Sequence, residues 1–221
     1  MQLCEFLPFW TQLSPEEQRT LESAAVRRAI RRGDAIRGDG EECAGLLLVL
    51  SGQLRAFILS GEGREITLYR LLERDVCLLS ASCMLRGMSF DLRIEAERDT
   101  ELLSIPAGVY GALMQRNAAA ANFVNEIMAG RFSDVLWLLE QILNQKLDAR
   151  LAAFLLEEAA LEEGDTLRIT HEEIARHIGS AREVVTRMLR YFSSEGMVTL
   201  SRGEVRLTDL PRLRALAAGG A

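Results

Sequence analysis

Histidine is nearly missing from this chain of 221 residues, which holds two, and tryptophan (two) and proline (four) are almost as scarce. So few histidines leave no basis for a His-rich metal site. The four cysteines, at 4, 43, 77 and 83, are unevenly spaced in a chain long enough to stabilise itself by its core, so a disulfide scaffold is excluded and thiols or ligands are expected. No apolar run approaches the roughly 20 residues that cross a bilayer. The first ten residues carry Glu5 and Pro8 and no basic lead-in, unlike a secretory leader, so a cytoplasmic protein without membrane contact is expected. An excess of positive charge is lacking too. With 26 Lys+Arg against 32 Asp+Glu the net charge is −6, on its face an argument against a nucleic-acid partner.

The charge is unevenly spread. Residues 166–221 carry nine Lys+Arg and six Asp+Glu, a net of +3, which leaves 17 against 26, a net of −9, for residues 1–165. A basic segment on an acidic chain hints at an interaction surface for phosphates.

Ser14-Pro15-Glu16-Glu17 is a helix start, and a short helix to about residue 27 is expected. From residue 29 to 106 short apolar runs alternate with glycine-bearing turns such as Gly33-Asp34, Ser51-Gly52 and Ser60-Gly61-Glu62-Gly63, the texture of antiparallel strands in a sandwich or barrel. Residues 46–50 form a continuous apolar strand, residues 53–59 and 64–71 flank a Gly-rich hairpin, and 92–96 with 101–105 make a later pair. Beyond Pro106 the pattern turns helical to about residue 145. Val124, Met128, Arg131, Val135, Leu138, Ile142 and Gln145 recur at alternating spacings of four and three, the seam of a two-stranded coiled coil, which implies a homodimer. A helix packed on its own barrel is the other reading, and Phe132, Trp137, Leu139 and Leu143 suit it. Arg131 is costly in a seam and would set register or pair with Asp134 of the partner helix. A second helix, from residue 147 to about 163, and a short strand at 167–169 follow.

Thr170-His171-Glu172-Glu173 is a capping signature ahead of Ile174 and Ile178. Gly179 ends that helix, Ser180 is expected to cap the next, from residue 181 to about 192, and two short helices joined by a glycine turn form a helix-turn-helix. The second helix shows Arg182, Glu183, Thr186, Arg187 and Arg190 outward. Arg182 lies at the end that reaches base edges and matches the two acceptors of guanine, Glu183 can accept from cytosine, and Arg187 can reach a guanine or a phosphate. A cation opening a helix is unfavourably placed against the dipole, which suggests a job. Residues 197–200 and 204–207 form a β-hairpin wing with Arg202 at its tip, placed for a phosphate. Thr170 and His171 stand where DNA backbone passes; His177 reads as a solvated or packing residue.

Residues 170–209, THEEIARHIGSAREVVTRMLRYFSSEGMVTLSRGEVRLTD, resemble the winged-helix domain of the bacterial Crp/Fnr transcription regulators. The opening Pro8-Phe9, Gly33-Asp34, Gly40, LLLVLSGQLR (46–55) and GREITLYRLL (63–72) resemble that family's cyclic-nucleotide-binding-type β-roll. The resemblance implies an α+β chain in three parts: an effector-sensing antiparallel β-roll, cupin-like (1–112), a long central dimerisation helix (113–145) and a winged helix-turn-helix (146–221). It also implies a homodimer on double-stranded DNA at an inverted repeat, contact with RNA polymerase, a small effector of unknown identity, and no catalytic residues. By position, Arg182, Glu183 and Arg187 match the family's base-contacting residues and Thr186 its small hydroxyl residue.

The family's cyclic-nucleotide pocket uses a Gly-Glu pair for the ribose and an Arg-Ser pair for the phosphate. Here Leu78-Leu79 and Phe90-Asp91 stand at those places, so cyclic AMP is disfavoured, and Arg86 or Arg93 would substitute only by rearrangement. Haem and an iron–sulfur cluster stay open as cofactors, although the N-terminal cysteine cluster of oxygen-sensing Fnr proteins is missing, with Cys4 alone. Cys77 and Cys83 have two readings: a thiol sensor of effector or redox state, or two buried, inert small side chains. Two rival functions remain. A thiol-based redox enzyme on Cys77 and Cys83 lacks a Cys-x-x-Cys motif and a nearby His, and a nucleotide-binding module without DNA reading lacks the phosphate arginine.

Overall fold

The computed structural model describes residues 3–36, 45–61, 63, 65–78, 92–144 and 146–219, without the side chains of 137 and 140–144. Two compact units divide it: residues 1–58 with 68–135, and residues 59–67 with 136–221.

In the first unit, Ser14 opens helix α1 (Pro15–Ala24) with a capping box. Its hydroxyl accepts from the Glu17 N–H at 3.3 Å and the Glu17 carboxylate accepts from the Ser14 N–H at 2.7 Å. The helix ends before the expected residue 27 because Val26 and Arg27 are claimed by a sheet. Among the described residues seven strands succeed it, of which residues 59 and 65–67 are counted with the second unit: β1 (Val26–Ile30), β2 (Leu46–Ser51), β3 (Leu54–Leu59), β4 (Glu65–Leu71), β5 (Val76–Cys77), β6 (Arg93–Ala96) and β7 (Thr100–Ile105). They form two antiparallel sheets, β1-β7-β2-β5 and β4-β3-β6, with β1 paired to β7 from Val26↔Ser104 to Ile30↔Thr100. Ladder pairing there overrides the helical reading of residues 26 and 27.

Strand β2 is apolar from Leu46 to Leu50 because both of its faces are buried there. Leu46, Leu48 and Leu50 join Leu7, Phe9, Leu21, Tyr110 and Leu113 in one cluster; Leu47 and Val49 join Leu54, Ala56, Leu71, Ile94 and Leu102 between the sheets. One charged side chain is buried on β3: Arg55, 2% exposed, lies 4.2 Å from the Phe57 ring centroid and 3.6 Å from its cross-strand neighbour Glu95. Pairing of this kind is what makes a buried guanidinium tolerable.

The helical stretch after Pro106 is two helices, α2 (Ala107–Met114) and α3 (Ala118–Asn144). Asn117 restarts the second, its side-chain oxygen accepting from the N–H groups of Ala119 (3.0 Å) and Ala120 (3.3 Å). Helix α3 runs across the division between the units.

In the second unit, α4 (Leu147–Leu161), β8 (Thr166–Leu167), α5 (His171–Ile178), α6 (Arg182–Ser194), β9 (Val198–Ser201), β10 (Glu204–Leu207) and α7 (Leu210–Ala217) enclose a core of Leu151, Leu155, Ile174, Val185, Leu189, Phe192, Val205 and Leu213. The three strands form an antiparallel sheet ordered β8-β10-β9. Arg150 of α4 donates to the carbonyl of Ile178, the last residue of α5, and burial lowers the pKa of its guanidinium. A cation on the last carbonyls suits the negative end of the α5 dipole.

The β2–β3 turn is a tight point of the roll. Gly52 has φ +93°, and a Cβ there would stand 2.4 Å from the Asp99 carbonyl oxygen and 2.7 Å from the Thr100 Cα. Gly63 has φ +75° with nothing within 4 Å. Gly52→Ala is therefore expected to cost about 2 kcal/mol or more, lowering Tm by roughly 4–8 °C, and Gly63→Ala distinctly less. Equal losses for the two in thermal unfolding followed by circular dichroism would refute the clash.

Candidate nucleic-acid interface

Helix α5 starts where its capping box puts it. The Thr170 hydroxyl accepts from the Glu173 N–H at 3.2 Å, and the Glu173 carboxylate accepts from the Thr170 N–H at 2.7 Å and from its hydroxyl at 2.8 Å. It ends at Gly179, whose φ of +63° is a left-handed cap. The expected cap of the next helix is corrected: α6 begins one residue later, at Arg182, so the cap position falls on Ala181, and Ser180 lies in the turn with its N–H donated to the Ala175 carbonyl at 2.9 Å. Ala181 has no side-chain acceptor to offer the first turn.

Val185, Leu189 and Phe192 turn α6 inward and are fully buried, which leaves Arg182, Glu183, Arg187 and Arg190 exposed. Thr186 is half-buried, because its hydroxyl meets the His171 ring, Oγ1 to Nδ1 at 2.9 Å. Burial first, then the positive charges of Arg182 and Arg190, lower the pKa of His171. Across from this pair the β9–β10 wing turns at Arg202-Gly203, with Arg202 exposed at the tip. Its carboxylate Glu204 accepts from Ser201 at 3.3 Å and pairs with Arg168 at 3.4 Å.

An open cleft of about 470 Å³ lies between the first turn of α5, the start of α6 and the wing. Of the sequence-identified residues, Thr170, His171, Arg182 and Arg202 line it together. Glu183 and Arg187 stand on the exposed face of the same helix, Thr186 joins through His171, and Ser180 is in the turn behind. His177 is a packing residue: its ring stacks on Phe154 with centroids 5.1 Å apart, and its Nδ1 lies 3.3 Å from the Thr67 hydroxyl.

Cys77 is 1% exposed in the core between the two sheets of the roll. Nearby Tyr69 has its phenol pushed well above its ordinary pKa, chiefly by burial and then by the Cys77 charge. Cys43, Leu79, Cys83, Arg86, Phe90 and Asp91 lie outside the described residues. The guanidinium of Arg131 stacks over the Tyr69 ring, 4.6 Å from its centroid, and pairs with Asp134 of its own helix at 3.1 Å.

Part of the expected helix stripe packs within the chain. Val124 is 1% exposed within the chain's own core, and Met128 packs against that core, so these two positions face the roll. Val135 and Leu138 are half-buried, and the Ile142 side chain is not among those described. Among the described side chains of α3 the large exposed apolar ones are Phe132 (64%), Leu136 (48%) and Leu139 (48%), the same four-three spacing shifted by one residue. Helix α3 carries two apolar stripes, and the roll takes the one that begins at Val124. The signal for the other was present in the spacing. Arg150 is different: its link to Ile178 joins residues 28 apart, which no local pattern reveals.

Among the described residues no helix is long and apolar enough to cross a membrane. Residues 27–117 match the model of a cyclic nucleotide-binding domain, and residues 149–216 that of a Crp-like helix-turn-helix domain. A cyclic AMP receptor protein of Thermus thermophilus is 30% identical over 212 residues, 96% of this chain and 97% of that protein. The transcriptional regulator SdrP of the same organism is 40% identical over 85 residues, 36% of this chain and 42% of that protein. A solved structure from Eubacterium rectale, described as a transcriptional regulator of the crp/fnr family, superposes with a TM-score of 0.92 at 51% identity, covering 96% of this chain and 99% of that one. A sheet domain matching the cyclic-nucleotide-binding model, followed by a winged helix-turn-helix that turns its arginines outward, agrees with these likenesses along nearly the whole chain: it belongs to the Crp/Fnr family of DNA-binding transcription regulators.

Proposed function

We propose that the protein reads an inverted-repeat DNA operator as a homodimer, in the cytoplasm and without enzymatic activity, under control of a small effector at the β-roll, and that it contacts RNA polymerase there. The observation that carries the reading is the exposed row Arg182, Glu183 and Arg187 on α6, beside a cleft closed by Arg202 of the wing. Arg182 and Glu183, at the helix start, read a guanine and a cytosine edge, Arg187 reaches a further base or a phosphate, and Thr170, His171, Ser180 and Arg202 hold the backbone. The half-sites then lie about 10–10.5 base pairs apart, one turn of the duplex.

Dimerisation is assigned to the exposed stripe Phe132, Leu136 and Leu139, whose four-three spacing repeats the geometry of a two-stranded seam. The effector site is assigned to the roll interior, where Tyr69, Cys77 and Arg131 come together. Cyclic AMP, the ligand in the name of the Thermus thermophilus relative, is disfavoured here on the residues at the ribose and phosphate places, Leu78-Leu79 and Phe90-Asp91.

Selection of genomic fragments with the purified protein is expected to enrich an inverted repeat, and enrichment of none would sink the reading. On that site Arg182→Ala is expected to relax preference at one guanine by roughly 1–3 kcal/mol, while Arg202→Ala weakens specific and random duplexes alike. Leu136→Glu is expected to give a folded monomer in sedimentation with at least about tenfold weaker operator binding; an unchanged dimer refutes the assigned stripe. Calorimetric titration with cyclic AMP is expected to show no binding at about 10 μM, a range that a dedicated nucleotide pocket reaches easily.

A further inference from the structure

The cleft between α5, α6 and the wing is lined by one imidazole, that of His171. His171 points its Nδ1 at the Thr186 hydroxyl of α6, 2.9 Å away, and its ring lines the cleft with Arg182 and Arg202. The charged groups around it come from every element packed there: Glu172 on its own helix, Arg182 and Arg190 on α6, and Arg202 and Glu204 on the wing. Glu204 is tied to Arg168 at 3.4 Å, and after burial the charges that act on the imidazole are those of Arg182 and Arg190 on α6.

We propose that His171 takes up a proton when a nucleic-acid phosphate enters this cleft, so that DNA binding by this protein is coupled to pH through a single imidazole. The inference rests on the reading of the cleft as a duplex-backbone site. In the unbound protein, burial and the two arginines keep the ring neutral at pH 7, with its pKa below the ordinary value of 6.5. A phosphate offsets the positive charge of Arg182 and Arg202 and accepts from Nε2–H, and both effects favour the imidazolium. The protonated ring must donate from Nδ1 as well, so the Thr186 hydroxyl becomes its acceptor and turns its own proton outward, toward the duplex.

The direction follows from linkage. Because the bound state holds the proton more tightly, affinity rises as pH falls through the window between the bound and unbound pKa values. It levels off above the first, where both states are neutral, and below the second, where both are charged. Phosphodiesters do not titrate in this range, and His177 is the chain's other histidine.

The test is fluorescence anisotropy with a random-sequence duplex at constant ionic strength, since a phosphate contact needs no operator. From about pH 8 to about pH 5.5 the wild type is expected to tighten roughly three- to tenfold, and His171→Gln, which keeps a hydrogen-bonding group for Thr186 but cannot charge, is expected to lose that slope. A flat wild-type profile, or equal slopes in both proteins, overturns the proposal. Absence of duplex binding at every pH instead overturns the reading of the cleft itself. If His171→Gln fails to fold by circular dichroism, proton NMR of the two histidine Cε1–H signals in the wild type decides. One resonance must titrate at higher pH with duplex than without it, and two unmoved resonances overturn the proposal.

Discussion

The position of the recognition helix depends on the way α5 is held at both ends. At its start, the reciprocal bonds of Thr170 and Glu173 settle which residue is first. At its end, the left-handed Gly179 turns the chain, and Arg150 holds the Ile178 carbonyl from α4. With those two ends set, the register of α6 is set as well. Val185, Leu189 and Phe192 bury in the same core as Ile174, and Arg182, Glu183 and Arg187 are left outward. A helix whose N-terminal residues must meet base edges tolerates little error in direction, so a rigid entry turn matters more than the propensity of α6 itself.

A comparable division of faces governs α3. A 27-residue helix with apolar residues on two stripes cannot satisfy both from one chain. Val124 and Met128 are spent on the cluster built by Leu46, Leu48 and Leu50 of β2, and those leucines are apolar in unbroken series because β2 is buried on both faces. What remains uncovered is Phe132, Leu136 and Leu139. Exposed residues of that size in a regular stripe are a cost for a lone chain and an asset for a pair. Arg131 continues the stripe that begins at Val124, and its stacking on Tyr69 with its bond to Asp134 places it against the roll.

Elements with a local cause were legible in the sequence. The capping boxes at Ser14 and Thr170, the left-handed Gly179, the turn at Gly52, and the wing around Gly203 stand where short-range patterns put them. What failed was decided at longer range. Helix α1 stops early because β7 pairs with Val26 and Arg27; a 3.5-residue repeat does not say that Val124 and Met128 pack on the chain's own core; and α6 starts after Ala181 although Ser180 is the better cap by type. In the interface, the residues that carry charge to the surface were readable from periodicity. The His171–Thr186 bond, across 15 residues and two helices, was not.

The overall charge of −6 looked like evidence against a polyanion partner, and its distribution removes the objection without making the DNA-binding unit strongly basic. In the cleft, Arg182, Arg202 and His171 face Glu172 and Glu204, so the local excess of positive charge is small and depends on whether His171 is protonated. A surface so nearly balanced neutralises few phosphates, so its attraction for a duplex of arbitrary sequence is weak and its salt dependence shallow. Glu183 bears on this further, because an exposed carboxylate beside Arg182 and Arg187 lowers the attraction of that helix face for phosphates. Modest attraction is the balance expected of a regulator that must leave most of the genome unoccupied, since competing sites outnumber the operator by about six or more orders of magnitude.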